Sequence, residues 1–226
     1  YTDAQSAYET VLSLLAKSDA DANARRLSAQ ANQSLGDALL LQGKYDEAKT
    51  RYEQAAREDD TLVECRYNLG FLEYRAGNLD KAEAHYRSVV ALDPDMPEAH
   101  HLLGLIYVDA ERFADAEREY REALKLRADS VPTLERLAHL LGQEEGRLDE
   151  ALELAKRATE LHPQSDSYWN TLSWIRYRRG EYAEAEQAIR QALELDPRNA
   201  LYQEGLRVLE GLRAKNPPNA VLEPVR

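Results

Sequence analysis

Apolar residues along this chain return every three or four positions, stretch after stretch, which is the spacing of one face of a helix. In residues 182–195, YAEAEQAIRQALEL, the residues Ala185, Ile189 and Ala192 share such a face. Runs such as AEREYREAL alternate carboxylates with arginine at helical spacing and read as solvated faces with i,i+4 pairs. The pattern also repeats in wording. LDKAEAHYRSVVALDPDM, from Leu79, and AEAEQAIRQALELDPRN, from Ala183, are one helix in different letters, each closing on Leu-Asp-Pro. A catalytic site needs no copies of itself, whereas a stack of equivalent building blocks does.

Small residues set the register: Gly36, Gly70, Gly104, Ala138 and Ser173, at intervals of 34, 34, 34 and 35. Twelve residues after each stand Ala48, Ala82, Ala116 and Ala185, with Ala151 one later because its unit carries an extra residue. Tyr52, Tyr86, Tyr120, Ala155 and Ile189 follow four further on, then Ala55, Val89, Ala123, Ala158 and Ala192. Each unit predicts two helices joined by a short turn. Leu35, Leu69, Leu103, Leu137 and Leu172 precede the small residue in the first helix, and Gly43, Gly77, Gly146 and Gly180 mark the turns. Glycine suits a helix C-terminus because left-handed backbone angles cost it little. Glu111 replaces it in the third unit, whose turn should be more strained or differently built. Asp-Pro then stops the second helix, since proline cannot donate and disfavours helix in the residue before it.

These residues resemble the tetratricopeptide repeat: Leu-Gly in the first helix, Gly-x-Tyr or Gly-x-Leu at the turn, then Ala-x3-Tyr-x2-Ala and a closing proline. WNTLSWIRYRRGEYAEAEQAIRQALELDP, from Trp169, is the fullest copy. The resemblance covers residues 29–199 as five units (29–62, 63–96, 97–130, 131–165 and 166–199). It implies an all-α, right-handed α-solenoid of helix-turn-helix repeats, with at least twelve helices, a concave groove lined by the first helices, and the holding of partner proteins. Residues 1–28 read as a half-repeat helix, with Ala4, Tyr8 and Val11 in second-helix spacing, followed by a polar loop or helix extension. Residues 200–215 read as a capping helix with Tyr202, Leu206 and Leu209 on one side, and 216–226 as a proline-containing tail.

Charge and composition narrow the partner. A net charge of −12 argues against nucleic acid and anionic membrane surfaces. No apolar run reaches membrane-spanning length. The single Cys65 cannot form an internal disulfide and reads as a packed small residue. The chain begins at Tyr1 without a signal-peptide pattern, as a mature or trimmed product would. A soluble protein is expected, cytoplasmic or, if a signal segment was removed, periplasmic or otherwise extracytoplasmic. His85, His100, His101, His139 and His162 make no metal-binding spacing, and no phosphate loop or nucleophile elbow occurs. Neither catalysis, metal nor cofactor is expected.

In this repeat family three places on each first helix contact the groove: three residues before the small position, one after it and four after it. Carried onto this chain, they nominate Tyr67, Phe71, Tyr74, His101, Leu105, Val108, His139, Asn170, Trp174 and Tyr177 as a groove for a protein or peptide. Phe71, Leu105 and Trp174 stand where the family commonly has Asn. They either form an apolar groove for an amphipathic helix or extended peptide, or are buried against one another or against the N-terminal helix under tight curvature. Repeats that hold the acidic C-termini of heat-shock chaperones use a cationic clamp with two asparagines. Here Asn68 matches one, but Gln33 and Asp37 stand at the Lys and Asn places, and Glu64 and Glu98 add repulsion. An adaptor or scaffold is the leading expectation. The alternatives are a structural subunit of a larger assembly, self-association into a homo-oligomer, or the docking arm of a larger enzyme.

Overall fold

The computed structural model of the chain describes residues 2–15 and 22–215, and among these every regular element is helical. In order they are α1 (Thr2–Leu15), α2 (Ala22–Leu41), α3 (Tyr45–Glu58), α4 (Val63–Arg75), α5 (Leu79–Leu92), α6 (Pro97–Asp109) and α7 (Phe113–Leu126). Then come α8 (Val131–Leu141), a 3-10 turn (Glu145–Arg147), α9 (Leu148–Leu161), α10 (Asp166–Arg178), α11 (Tyr182–Leu195) and α12 (Ala200–Lys215). The chain divides within α7 into two compact units, Tyr1–Glu119 and Tyr120–Arg226. In the first, each helix from α1 to α5 packs on the next; in the second, each from α8 to α11 does, and α8 also touches α10. The tail expected from residue 216 onward lies outside the described residues. Of the stretch expected as polar loop or helix extension, Ala22 onward is helix, because α2 starts there.

Helix ends follow the residues that cannot continue a helix. Asp93, His162 and Asp196, each before a proline, are the C-caps of α5, α9 and α11, with backbone that has left the helical region (φ −135°, −135° and −129°). Each still donates its N–H four residues back, to Val89, Ala158 and Ala192, so proline ends the helix one residue after the last bond that can form.

Gly43, Gly77 and Gly180 take positive φ at the turns (74°, 78° and 77°). At Gly77 the following Asn78 N–H closes onto Glu73 O at 2.9 Å, the long bond of a Schellman cap. Glu111 holds the same conformation at φ 58°, and Arg112 N–H closes onto Tyr107 O at 2.7 Å. A side chain in this region costs roughly 1–2 kcal/mol, the strain expected at that turn. The fourth unit corrects the sequence reading. Gly146 lies inside the 3-10 turn and is not left-handed; α8 instead ends at Gly142 with φ −62°. The extra residue in this unit lets a 3-10 turn carry the reversal, so no left-handed glycine is needed.

Packing explains the small positions. A Cβ added at Gly36 would lie 2.7 Å from the Tyr52 ring, and one at Gly70 would lie 2.9 Å from the Tyr86 ring. Both rings are fully buried, so the absent side chain on one helix is the seat of the aromatic on the next. Ser173 takes the glycine's place in α10 and is itself buried; its hydroxyl donates to Ala185 O at 2.8 Å, satisfying the group that close packing would strand. Ion pairs tie neighbours together. Glu73, buried, bonds Lys49 of α3 at 2.8 Å and Asn78 at 2.7 Å. Burial raises the Glu73 pKa, but those two bonds outweigh it and hold the carboxyl below the ordinary range. In the second unit Glu186 bonds Arg213 of α12 at 2.8 Å, and Tyr202 and Leu209 join Ala185, Ile189 and Ala192 in one cluster with Leu206 at its edge. Cys65 is fully buried, and burial pushes its thiol up to about 12, which leaves it unreactive near neutrality.

Candidate functional site

Within the first unit the nominated residues fall on α4 and α6, and two successive steps, α2–α4 and α4–α6, can be compared residue by residue. At the α2–α4 step, Tyr52 from α3 lies against Gly36, and its hydroxyl donates to Asp37 Oδ1 at 2.7 Å. Asn68 Nδ2 donates to the same oxygen at 3.2 Å. Desolvation raises the Asp37 pKa, the Tyr52 bond opposes this, and the nearby Glu64 raises it further. At the α4–α6 step Tyr86 is seated on Gly70 in the same way. The equivalents of Asp37 and Asn68 are now Phe71 and Leu102, and neither can accept a hydrogen bond. The Tyr86 hydroxyl is buried with no partner among the described residues.

Aromatic side chains surround this second step. Tyr67 meets Tyr86 edge to face, with centroids 5.5 Å apart at 81°. Tyr74 donates its hydroxyl to Asp109 Oδ2 at 2.6 Å, linking α4 to α6. Phe71 is half-buried, leaning on the cluster around Leu35, Leu39 and Leu69. The Arg75 guanidinium lies 5.7 Å above its ring and 4.2 Å above Tyr45. His101, Leu105 and Val108 are half-buried on α6. The adjacent His100 points the other way: it is buried, with Nδ1 2.8 Å from Glu119 Oε2 and Nε2 3.3 Å from Pro94 O. One end of this face opens into a cleft of about 280 Å³ lined by Gln33, Asp37, Glu64, Tyr67, Asn68, Met96 and Glu98. The five polar residues set aside above as a failed cationic clamp thus share one concavity.

In the second unit Trp174 stacks on the exposed His139, with centroids 4.8 Å apart and planes at 20°. Desolvation holds the imidazole of His139 below its ordinary pKa. Arg178 lies 5.7 Å over the indole. A Cβ at Gly142 would come within 2.6 Å of the Trp174 ring, so glycine occupies this groove position because the indole fills the space. Asn170, Ser173, Trp174 and Tyr177 form one wall of a cleft of about 350 Å³; Ile189 and the α12 residues Glu204, Gly205, Val208 and Leu209 form the rest. Sequence reasoning missed the α12 wall. The signal was present: Glu204 and Val208 follow Asn170 and Trp174 by 34 residues, the repeat period itself.

The side chains brought together present aromatic rings, apolar contact and carboxylates. Among the described residues no group of three or more His, Cys, Asp or Glu side chains is placed to hold a metal ion. No described helix is long and apolar enough to cross a membrane.

Helix pairs seated aromatic-on-glycine at a 34-residue period define a tetratricopeptide-repeat protein, an all-α solenoid class. The chain belongs to the family described as the cilia and flagella-associated protein 70 C-terminal domain, whose model matches residues 1–205. It is 36% identical over 69 residues to the TPR repeat-containing protein PA4667 of Pseudomonas aeruginosa, a match that takes in 30% of this chain and 12% of that protein's length. Solved structures share the fold. A tetratricopeptide repeat protein from Parabacteroides merdae superposes with a TM-score of 0.72 at 19% identity, over 84% of this chain and 75% of that one. YrrB, described as a TPR protein with an unusual peptide-binding site, superposes with a TM-score of 0.69 at 17% identity, over 79% and 92%. Tetratricopeptide domains are in general protein-interaction modules and typically non-catalytic, and proteins are the partners this class implies.

Proposed function

We propose that the chain is an adaptor or scaffold that holds helices or extended segments of a partner protein on the faces that the first helices form within each unit. Tyr67, Phe71, Tyr74, His101, Leu105 and Val108 serve in the first unit, and His139, Asn170, Trp174 and Tyr177 in the second. The observation that carries this reading is the orphaned Tyr86 hydroxyl. An Asp at position 71 would satisfy it, as Asp37 satisfies Tyr52 one repeat earlier. Phe71 instead leaves a buried donor unmet, at about 1–3 kcal/mol, and keeps an aromatic ring half-exposed on the face. The apolar contact of Phe71 with the cluster around Leu35, Leu39 and Leu69 no more than offsets that cost, so the exchange leaves the solenoid's stability about where it was; a binding surface gains an aromatic anchor.

The test replaces Phe71 with a photo-crosslinking phenylalanine analogue in the source cell, beside a control at Glu153, on the exposed side of α9. Crosslinked peptides are then identified by mass spectrometry. A single partner segment captured from position 71 and not from 153 supports the groove; identical captures from both sites overturn it.

A second reading, association through an end of the stack, is favoured by one residue. Val11 on α1 is 42% exposed, whereas its repeat equivalents Ala55, Val89, Ala123, Ala158 and Ala192 are at most 1% exposed. Val11→Lys would abolish such an association while leaving crosslinking at position 71 intact.

A further inference from the structure

We infer that the segment held on the first unit's face is basic as well as apolar, and that it places a lysine or arginine side chain in the cleft beside Tyr67. This rests on the groove reading above and adds the partner's chemistry to it.

The cleft of about 280 Å³ is lined by three carboxylate residues, Asp37, Glu64 and Glu98, together with Gln33, Asn68, Met96 and Tyr67. No lysine, arginine or histidine is among them. The space suits a long side chain better than a small-molecule ligand, whose pockets run from about 300 Å³ upward and are more enclosed. Two of the carboxylates already act on one another: desolvation raises the Asp37 pKa, and Glu64 raises it further. A cation placed among them relieves that repulsion.

Tyr67 contributes a ring beside these charges. Elsewhere the protein lays guanidinium groups over aromatic rings, Arg75 at 4.2 Å from the Tyr45 centroid and Arg112 at 4.3 Å from that of Tyr107. A partner cation beside Tyr67 would gain the same attraction. The apolar part of the segment then follows α4 and α6 along Phe71, Leu105 and Val108. The overall charge of −12 steers a basic partner inward, but it does so for any acidic protein. The cleft supplies the local part, and the test separates the two.

Fluorescence anisotropy of the 226-residue chain would use three labelled synthetic peptides of leucine, alanine and one polar residue, that residue being lysine, glutamine or glutamate. The lysine peptide is expected to bind about tenfold or more tightly than the glutamine peptide, and the advantage should shrink on raising salt. The double variant Glu64→Gln, Glu98→Gln should remove that advantage. Glu144→Gln, Glu160→Gln, the same change of net charge on exposed residues of the second unit, should leave it intact; thermal melts of both confirm folding. Equal binding of the lysine and glutamine peptides, equal effects of the two double variants, or no binding by the lysine peptide would each overturn the inference. Phe71→Ala separates this from the groove itself. If it weakens every peptide while charge has no effect, the groove stands and the basic preference falls; if it weakens none, the groove reading fails too.

Discussion

The α2–α4 and α4–α6 steps of the first unit share one backbone plan and carry opposite chemistry. Both seat a fully buried tyrosine on a glycine, Tyr52 on Gly36 and Tyr86 on Gly70. In the first, Asp37 and Asn68 close a polar triad around the phenol. In the second, Phe71 and Leu102 stand in their places and the phenol is left without an acceptor. The fold depends on what the two steps share, the close approach of aromatic to backbone. What differs lies on the face and can vary as long as the glycine seat survives. A repeat protein can therefore alter its surface one unit at a time at a cost of a few kcal/mol, because each unit's stability depends mainly on its neighbours.

The shared part should give the largest effects. Gly36→Leu and Gly70→Leu each drive a side chain into a buried ring and should cost about 3 kcal/mol or more, measured by denaturant unfolding. The two costs should be similar; a wide gap would mean the steps do not share one plan. Asp37→Phe, which imposes the second step's chemistry on the first, should cost about 1–2 kcal/mol by stranding Tyr52 and Asn68. Its mirror, Phe71→Asp, should come out near neutral, with the new bond to Tyr86 offsetting lost apolar contact. A double-mutant cycle of Phe71→Asp with Tyr86→Phe should then reveal a coupling of about 1 kcal/mol, and no coupling would mean the aspartate does not reach the phenol.

Smaller again is the pair of phenol deletions. Tyr52→Phe should cost about 1–1.5 kcal/mol, whereas Tyr86→Phe should be neutral or slightly stabilising. Equal costs would show that the Tyr86 hydroxyl has an acceptor after all. The mildest contrast is in pH. Burial holds the Asp37 carboxyl above its ordinary pKa of 3.8, so the folded state keeps its proton over a range where the unfolded chain has lost it. Stability from this group is present below pH 3.8 and is lost as pH rises through the raised folded value. Asp37→Asn, which cannot titrate, should gain on the natural chain across that window in pH-dependent melts. Phe71→Asn should show no such trend.

Much of the fold was legible because repeats reinforce one another: Leu35-Gly36, Leu69-Gly70 and their successors set the register, and Asp93, His162 and Asp196 mark the stops. The face could be nominated too, since Phe71 and Trp174 stand where the repeat usually places a small polar residue. Gly146 misled because a glycine near a turn resembles a left-handed cap in text, and only the backbone reveals a 3-10 turn. Gly142 was equally opaque as a groove position, being small because the Trp174 ring from another helix fills its space.

The division has a physical cause. Periodicity, small positions and helix stops are local properties of the chain, repeated often enough to be read without coordinates, and they determined that this is a stack of helix pairs. Which polar groups meet is decided between helices far apart in sequence. Tyr52 and Asn68 donate to one oxygen of Asp37, while Glu64 and Glu98, which lie 34 residues apart, line one cleft with Asp37 and Asn68. Whether a buried hydroxyl is satisfied or stranded depends on which side chain the neighbouring helix brings to it. The sequence prints Asp37 against Phe71, but only the tertiary structure decides that these positions face the phenols of Tyr52 and Tyr86.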